Sequence, residues 1–373
     1  MNGKDIHDAV EYVGYDLVDM ADKQRFARPF WQTALPVAAM VALLLGVTVT
    51  LPQPVQTPEN TIPVEVPTLT EPAVTETEQG TEETATIHPL NELFPMLAEI
   101  PPDTFPEVDW NTFSLNEAGF DDDGTDFTTI HGDQVLAIDA KNGILLIRVK
   151  GEDYQGVLAV VHDPTKLSLQ ASSQLGTSGE TVGTIAEAHN GVLAVNASSF
   201  IDGTGGNNGG ILAGYAMSDG TAYNENDHLV ETYSRLEIDS NGQFSIVASN
   251  TAVGNDVQNA MEIIPAMIVN GVVNNELYTM WSGTHPRSCI GQTEDGTVLM
   301  LVIEGRMPER SLGASLPECA KILARYGAIQ AIGLAHGSSS ILWYDGEYIT
   351  KCSNSALPEG RPLPNAFVVE RAE

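Results

Sequence analysis

Residues 283–306 read GTHPRSCIGQTEDGTVLMLVIEGR, and this stretch indicates the fold more clearly than any other part of the chain. It begins with a polar turn that carries His285 and Arg287. Residues 297–303 then form a run of strand length that is apolar after Thr297, which predicts a strand covered on both faces. The run ends at a charged corner that contains Arg306. Cationic side chains at both ends of one strand suit an anionic or sugar-like ligand.

Short β-prone runs continue on both sides of this stretch, from Val135 to the end of the chain. Helical patterns are few and are predicted at 89–98, 183–189 and 316–326. Residues 88–373 are therefore predicted to form one α+β domain with a large mixed or antiparallel sheet system. Turn dipeptides separate many of the runs: Asn142-Gly143, Asp219-Gly220, Asn241-Gly242, Asn270-Gly271, Asp295-Gly296 and Asp345-Gly346.

An uncharged apolar run at residues 34–51 precedes this domain. Its length approaches the ~20 residues that cross a bilayer, so we predict a single transmembrane helix at 33–52. Lys and Arg lie just before the run and are absent after it until Lys141, which places residues 1–32 in the cytoplasm and the main domain outside. A cleaved signal peptide is the alternative. The long N-terminal region and the lack of an A-x-A site favour an uncleaved anchor.

The segments that flank the predicted membrane helix differ in character. Residues 5–26 have apolar side chains at three- and four-residue steps, which predicts an amphipathic helix that binds a cytoplasmic partner or lies against the membrane. Residues 53–87 are rich in Pro, Thr and Glu and cannot bury enough apolar surface to fold. We therefore predict a disordered, extended linker between membrane and domain.

The net charge and the cysteine spacing argue against two classes of function, nucleic-acid binding and metal binding by cysteines. The net charge of −33 makes nucleic acid an unlikely partner, because phosphate backbones select basic surfaces. An anionic substrate would require a local basic pocket, so the scarce arginines become informative. Cys289, Cys319 and Cys352 have no metal-binding spacing and are predicted to be buried thiols. We predict no metal and no other cofactor.

Two later stretches extend the pattern of residues 283–306. They are LAHGSSSILW at residues 334–343 and RPLPNAFVV at residues 361–369. In this order and spacing the three blocks resemble the phosphodiester glycosidase family, over roughly residues 135–370. The resemblance implies a hydrolase that cleaves a sugar-1-phosphodiester, of the kind associated with bacterial exopolysaccharide. Together with the predicted membrane helix, it leads us to expect a membrane-anchored, extracytoplasmic enzyme that acts on cell-surface polysaccharide.

The resemblance also implies the residues of a substrate pocket. Arg287 is expected to hold the phosphate and Arg306 to support it, although a structural arginine that caps a loop is the alternative for Arg287. The glycine-rich loop after Phe200 is expected beside the pocket, with a plain hairpin loop as its alternative. The expected substrate-binding residues are Asn196, Ser199, Gly209, Gly210, His285, Arg287, Arg306, Gly337, Ser338, Ser339 and Ser340.

The second block departs from the family pattern at the expected centre of the site. Family members usually show Leu-Asp-Gly-Gly, whereas this chain has Ala335 and His336 at the Asp and first Gly positions. The remaining catalytic candidates are Asp202, Glu304 and His336, with Asp202 preferred among the carboxylates. A catalytically impaired glycan- or phosphate-binding protein is therefore the main alternative, and a structural protein of the cell envelope is a third.

Overall fold

The computed structural model describes residues 87–116, 124–201, 208–224, 233–263 and 265–373. The predicted cytoplasmic segment, the predicted membrane helix at 33–52 and the linker up to residue 86 lie outside these ranges. Within them, no helix has both the length and the apolar character needed to cross a membrane.

The described residues contain short strands and a few helices. The strands are β1 (Ser114–Leu115), β2 (Val135–Asp139), β3 (Ile144–Lys150), β4 (Gln155–Val161), β5 (Leu167–Ala171), β6 (Gly191–Asn196), β7 (Phe200–Ile201), β8 (Ile211–Leu212), β9 (Ala216–Ser218), β10 (Thr221–Ala222), β11 (Ser234–Asp239), β12 (Phe244–Ala248), β13 (Val257–Ile263), β14 (Ala266–Val269), β15 (Val272–Val273), β16 (Arg287–Thr293), β17 (Val298–Ile303), β18 (Ala328–Gly333), β19 (Leu342–Tyr344), β20 (Glu347–Tyr348) and β21 (Asn365–Glu370). The α-helices are α1 (Pro89–Leu93), α2 (Val182–Ala188), α3 (Leu277–Met280) and α4 (Leu316–Arg325), and 3₁₀ turns span Pro164–Lys166 and Gly337–Ser339.

The strands form three main sheets in which the neighbours pair antiparallel. The largest sheet has nine strands in the order β1-β2-β3-β4-β17-β16-β18-β14-β15. Two five-stranded sheets have the orders β10-β9-β13-β11-β12 and β20-β19-β6-β21-β5, and β7 pairs with β8 in a separate hairpin. This confirms the predicted sheet-dominated α+β fold with few helices.

The central strands are buried on both faces, as the apolar run at 297–303 predicts. Along β17, Val298, Met300 and Val302 point into the core shared with the five-stranded sheets. The alternate residues of β17 point into a second core that the nine-stranded sheet shares with α4 and α1. Helix α2 covers the outer face of the β6–β21 sheet. Because side chains alternate along a strand, one apolar run contributes side chains to both hydrophobic cores.

Local sequence signals account for several element boundaries. Helix α4 begins at a capping box in which Ser315 and Glu318 exchange side-chain hydrogen bonds with each other's backbone. It is followed by Gly327, whose φ of 87° is one that glycine adopts without strain. The helix predicted at 89–98 is shorter than expected and ends at Leu93, where the chain turns before Pro95.

Sheet topology brings four strand ends together. Strand β6 ends at Asn196, β17 ends just before Glu304, and β18 ends just before Leu334. Strand β16 runs antiparallel to β17 and β18, so its first residue, Arg287, lies at the same end. Most of the residues that the sequence singled out are in the loops at this end.

Candidate active site

Asn196 is a buried hydrogen-bonding centre between three segments. Its side-chain oxygen accepts from the Ser288 hydroxyl at 2.7 Å and from the backbone N–H of Ile341 at 3.3 Å. Its amide nitrogen donates to the backbone carbonyl of Ala335. The Ala335 N–H in turn donates to Ala197 at 2.9 Å. One fully buried amide therefore fixes the end of β6 against the start of β16 and the loop after β18.

The His-Pro-Arg turn is joined to the serine-rich turn by the backbone. The Gly337 N–H donates to the Pro286 carbonyl at 3.1 Å. Gly337 has a φ of 69°, in the left-handed region that glycine enters without steric cost. His285 pairs with Ala314 through two backbone hydrogen bonds, which hold the other side of the turn. Asn196, the His285–Arg287 turn and the Gly337–Ser339 turn therefore lie together.

Arg287 is almost completely buried, with 1% of its surface exposed. Its Nε donates to the Ala314 carbonyl at 3.2 Å and its Nη2 donates to the Gly283 carbonyl at 2.8 Å. The guanidinium thus ties the 283–287 turn to the segment that precedes α4. These contacts fit the alternative role given to Arg287 above, that of a structural arginine that caps a loop. Phosphate binding by Arg287 stays a prediction.

Arg306 is held in an unusual backbone conformation. Its φ of 59° lies in the left-handed region, which costs a non-glycine residue on the order of 1–2 kcal/mol. Its backbone N–H donates to the Leu312 carbonyl at 3.1 Å. The guanidinium reaches Gly337, where a Cβ built on that glycine would lie 3.3 Å from Nη2. The corner after β17 therefore aims a partly exposed cation at the serine-rich turn.

Aromatic rings line the approach to the two turns. The rings of His285 and His336 stack with their centroids 6.4 Å apart, and the Trp281 ring meets His336 edge-on at 6.2 Å. His336 is therefore placed beside the predicted pocket. Trp281 was not among the predicted site residues, because it lies outside the three sequence blocks and only the fold brings it here.

The Glu304 carboxylate already has partners within the protein. It forms an ion pair with Arg310, and its Oε1 accepts from the backbone N–H of Lys351 at 2.8 Å. The side chain is buried. It joins the end of β17 to the 307–311 loop and to the segment after β20. The catalytic role that the resemblance allowed for Glu304 stays a prediction, and these contacts describe a structural one.

The serine turn presents side chains of different accessibility. Ser338 is partly exposed, and its carbonyl accepts a hydrogen bond from the Cys352 thiol at 3.3 Å. Ser339 and Ser340 are buried. The Ser340 hydroxyl has no hydrogen-bond partner within the described part of the chain. A buried hydroxyl of this kind is a group that a ligand could satisfy.

Gly209 and Gly210, at the end of the glycine-rich stretch, are closely packed against other segments of the chain. A Cβ built on Gly209 would fall well inside van der Waals contact of the Pro362 carbonyl, and one on Gly210 would overlap the backbone of Ser178. Both positions therefore require glycine for close packing. Ser199 is partly exposed, and its carbonyl accepts from the Ala213 N–H at 3.0 Å. Asp202 lies outside the described residues.

The Cys352 thiol lies near two arginine side chains, and their positive charges affect its pKa. Burial raises the pKa of its thiol, while a hydrogen bond to the Asn354 backbone and the positive charges of Arg361 and Arg306 act in the opposite direction. Both guanidinium groups therefore lie within Coulombic range of the thiol. Arg361 belongs to the third sequence block, but its sequence position alone suggested no role.

The described residues contain no group of three or more His, Cys, Asp or Glu side chains arranged to hold a metal ion. A polar groove of about 360 Å³ lies elsewhere, near the start of β5 and the end of β21. It is lined by Lys166, His189 and Glu370 among others, and by none of the predicted site residues. The chemistry-bearing loops are at the opposite ends of those strands, so we place the candidate site there.

The chain is similar to a curated protein of known sequence over about half of its length. A curated relative, the SPbeta prophage-derived uncharacterized protein YomE of Bacillus subtilis (strain 168), is 28% identical over 202 residues, which are 52% of this chain and 29% of the relative. The chain thus matches less than a third of that protein's length.

Two solved structures are similar at low identity. The catalytic domain of zebrafish N-acetylglucosamine-1-phosphodiester alpha-N-acetylglucosaminidase, auto-inhibited by its pro-peptide, has 17% identity and a TM-score of 0.49, covering 61% of this chain and 82% of that one. A hypothetical protein from Synechocystis has 15% identity and a TM-score of 0.45, covering 63% of each chain.

The family model described as phosphodiester glycosidase matches residues 189–370. The match spans the end of β6, the His285–Arg287 turn, Arg306 and the serine turn. The resemblance expected from the three sequence blocks is confirmed: residues 189–370 of this chain match the family model of the phosphodiester glycosidases.

Proposed function

We propose that this protein hydrolyses the bond between a sugar C1 and the phosphate oxygen of a sugar-1-phosphodiester in cell-surface polysaccharide. The domain would act outside the cell, anchored by a membrane helix at 33–52. The observation that carries the proposal is Arg306, a cation held in a strained backbone conformation with its guanidinium against the Gly337 turn. Strain of this kind persists where the surrounding structure fixes a functional group.

This reaction depends more on stabilising the negative charge of the departing phosphate than on protonation by a strong acid. When the C1–O bond breaks, the departing phosphate takes the bonding electrons, and water adds to C1 and gives up a proton. Phosphate is a good leaving group, so cations and loop N–H groups that stabilise its negative charge do most of the work. A carboxylate or imidazole nearby would assist the oxocarbenium-like centre and accept the proton from water.

The contacts in the site suggest how these tasks are divided. Arg306 is the better phosphate ligand, because Arg287 is buried and donates to two backbone carbonyls. We assign Arg287 to positioning the turn. His336 is the described residue best placed to move a proton, and Asp202 remains the carboxylate candidate. Glu304 is a poor candidate, since its carboxylate already has Arg310 and Lys351 as partners.

The test is hydrolysis of a chromogenic sugar phosphodiester by the purified chain, with Arg306→Ala as the variant. We expect the wild type to release the phosphomonoester and the variant to be slower by about a hundredfold or more, the usual cost of losing a group that stabilises transition-state charge. Arg325→Ala is the matched control, because that side chain is 41% exposed and pairs with Asp133. Equal rates for the wild type and Arg306→Ala would contradict the proposal.

A catalytically impaired binding protein is the second candidate, and Ala335 favours it. The position sits at the centre of the site: its N–H and carbonyl are bound by Ala197 and Asn196, and its methyl stands where the family usually has a carboxylate. The Ala335→Asp variant separates the two. Activity in the wild type would exclude the binding-only function. Activity in the variant alone would show that this chain binds and does not hydrolyse.

A further inference from the structure

Arg361 lies in a segment that contacts both Ile341 and Gly209. The residue before it, Gly360, has a φ of 80° and packs against Ile341, where a built Cβ would lie 3.5 Å from the side chain. The residue after it, Pro362, packs against Gly209 of the glycine-rich loop. The backbone therefore places Arg361 between Ile341, which follows the serine turn, and Gly209.

The side chain of Arg361 is fixed against an aromatic ring. Its guanidinium carbon lies 4.5 Å from the centroid of the Phe200 ring, a cation–π contact. The residue is 6% exposed, so the contact is largely shielded from water. Phe200 directly follows Ser199, which the resemblance places in the pocket. The ring thus holds the cation against β7, one residue after Ser199.

A second cation, that of Arg306, contacts the serine turn itself. Arg306 rests against Gly337, and the Cys352 thiol, which donates to Ser338, is within Coulombic range of both Arg306 and Arg361. Both guanidinium groups therefore lie near the Gly337–Ser339 turn. In a chain with a net charge of −33, two cations converging at one turn are an uncommon local concentration of positive charge.

We propose that Arg361 and Arg306 together form one anion subsite, in which the phosphate of the ligand is held between the two guanidinium groups beside the Gly337–Ser339 turn. The identity of the anion rests on the proposed function. A phosphodiester carries one negative charge, whereas the phosphomonoester that departs carries nearly two at neutral pH. The second arginine therefore matches the charge that develops as the C1–O bond breaks.

The direct test is calorimetric binding of inorganic phosphate to the purified full chain at low ionic strength. Arg361→Ala is expected to weaken phosphate binding about tenfold or more, and Arg361→Lys is expected to recover part of the loss because the charge is kept. Arg325→Ala serves as the control and should bind like the wild type. A folded Arg361→Ala chain with wild-type phosphate affinity would overturn the subsite, as would a wild type that binds no phosphate.

A kinetic measurement separates this subsite from the proposed reaction. On a chromogenic sugar phosphodiester, Arg361→Ala is expected to lower kcat more than it raises KM, because the second cation acts mainly on the developing charge. Arg361-dependent phosphate binding without hydrolysis by the wild type would support the subsite and refute the proposed function. Hydrolysis that is unchanged in Arg361→Ala, with unchanged phosphate affinity, would do the reverse.

If Arg361→Ala does not fold, Phe200→Leu decides the question. That substitution keeps an apolar side chain and removes the ring face that holds the guanidinium. Phosphate affinity is then expected to fall about two- to fivefold or more, because the guanidinium loses the ring face that orients it. Wild-type affinity in folded Phe200→Leu would overturn the role given to Arg361.

Discussion

The Asn196 side chain accepts a hydrogen bond from the Ser288 hydroxyl at 2.7 Å, and this contact joins two packed sheets at the candidate active site. Asn196 ends β6 in a five-stranded sheet, and Ser288 is the second residue of β16 in the nine-stranded sheet. Both residues are buried. Because the amide also binds Ala335 and Ile341, it sets where the serine turn lies relative to the end of β6.

Replacing Asn196 with Ala is expected to destabilise the domain. The change leaves the Ser288 hydroxyl, the Ile341 N–H and the Ala335 carbonyl without their partner in a buried site, which costs about 2–4 kcal/mol in the free energy of unfolding. Chemical denaturation followed by tryptophan fluorescence measures this. Asn241→Ala, at an exposed turn position, is the control and should change stability by less than about 0.5 kcal/mol. Equal effects would show that the amide is not a structural centre.

Replacing Arg306 with Gly is expected to separate stability from activity. Glycine adopts the φ of 59° freely, so the free energy of unfolding should stay the same or rise by up to about 1 kcal/mol. Hydrolysis of the sugar phosphodiester should fall about a hundredfold or more, since the guanidinium is lost. Denaturation and steady-state rates are measured on the same preparation. A clearly less stable variant would mean that Arg306 serves packing instead of the ligand.

Replacing Gly209 with Ala should show why the loop is glycine-rich. The added Cβ meets two penalties, a φ of 57° and a clash with the Pro362 carbonyl. Gly132→Ala meets only the first, because its φ is 79° and nothing lies within 4 Å of the built Cβ. We expect about 1 kcal/mol of destabilisation for Gly132→Ala and about 1–3 kcal/mol more for Gly209→Ala. Equal losses in the two would show that close packing at Gly209 is unimportant.

The pH dependence of stability should carry a contribution from His88. Burial lowers the pKa of His88, and a backbone hydrogen bond involving Thr104 only partly offsets this. Below the ordinary value of 6.5, the unfolded chain therefore binds a proton that the folded chain resists. Stability from this residue is complete above that value and declines as the pH falls toward the folded pKa.

The matched variant for this prediction is His88→Asn. The His88 ring caps α1 by accepting from Leu90 N–H at 3.2 Å, and asparagine can also cap without titrating. The wild type should lose more stability than the variant between about pH 7 and about pH 5. Thermal melts across that range measure the difference. Parallel curves for the two proteins would contradict the role of His88.

Local features of the fold could be predicted where neighbouring residues decide them. Asp219-Gly220, Asn270-Gly271 and Asp345-Gly346 each have positive φ at both positions, as hairpin turns of this type require. The helix expected at 316–326 is observed as α4, Leu316–Arg325, because its cap and its closing glycine are adjacent in sequence. The helix expected at 89–98 ended early, since Pro95 limits the residue before it to extended conformations.

The candidate site was predictable only in part. The three sequence blocks indicated the family and most of the residues now found together, including Asn196 and Ser339. They gave no sign that Trp281 would meet His336, or that Arg361 would stack on Phe200. Such contacts join residues that are far apart in the chain, and no local periodicity encodes them.

The amino-acid sequence by itself determined the family, the turn positions and the doubly buried strands, because these follow from the conformational preferences and apolar pattern of adjacent residues. The tertiary structure alone decided which charged groups face a ligand and which serve the scaffold. Arg287 and Arg306 belong to the same stretch of sequence, yet the first is buried against two carbonyls and the second is aimed at the serine turn. The physical reason is that strand order, set by non-local pairing, fixes which backbone carbonyls each guanidinium meets.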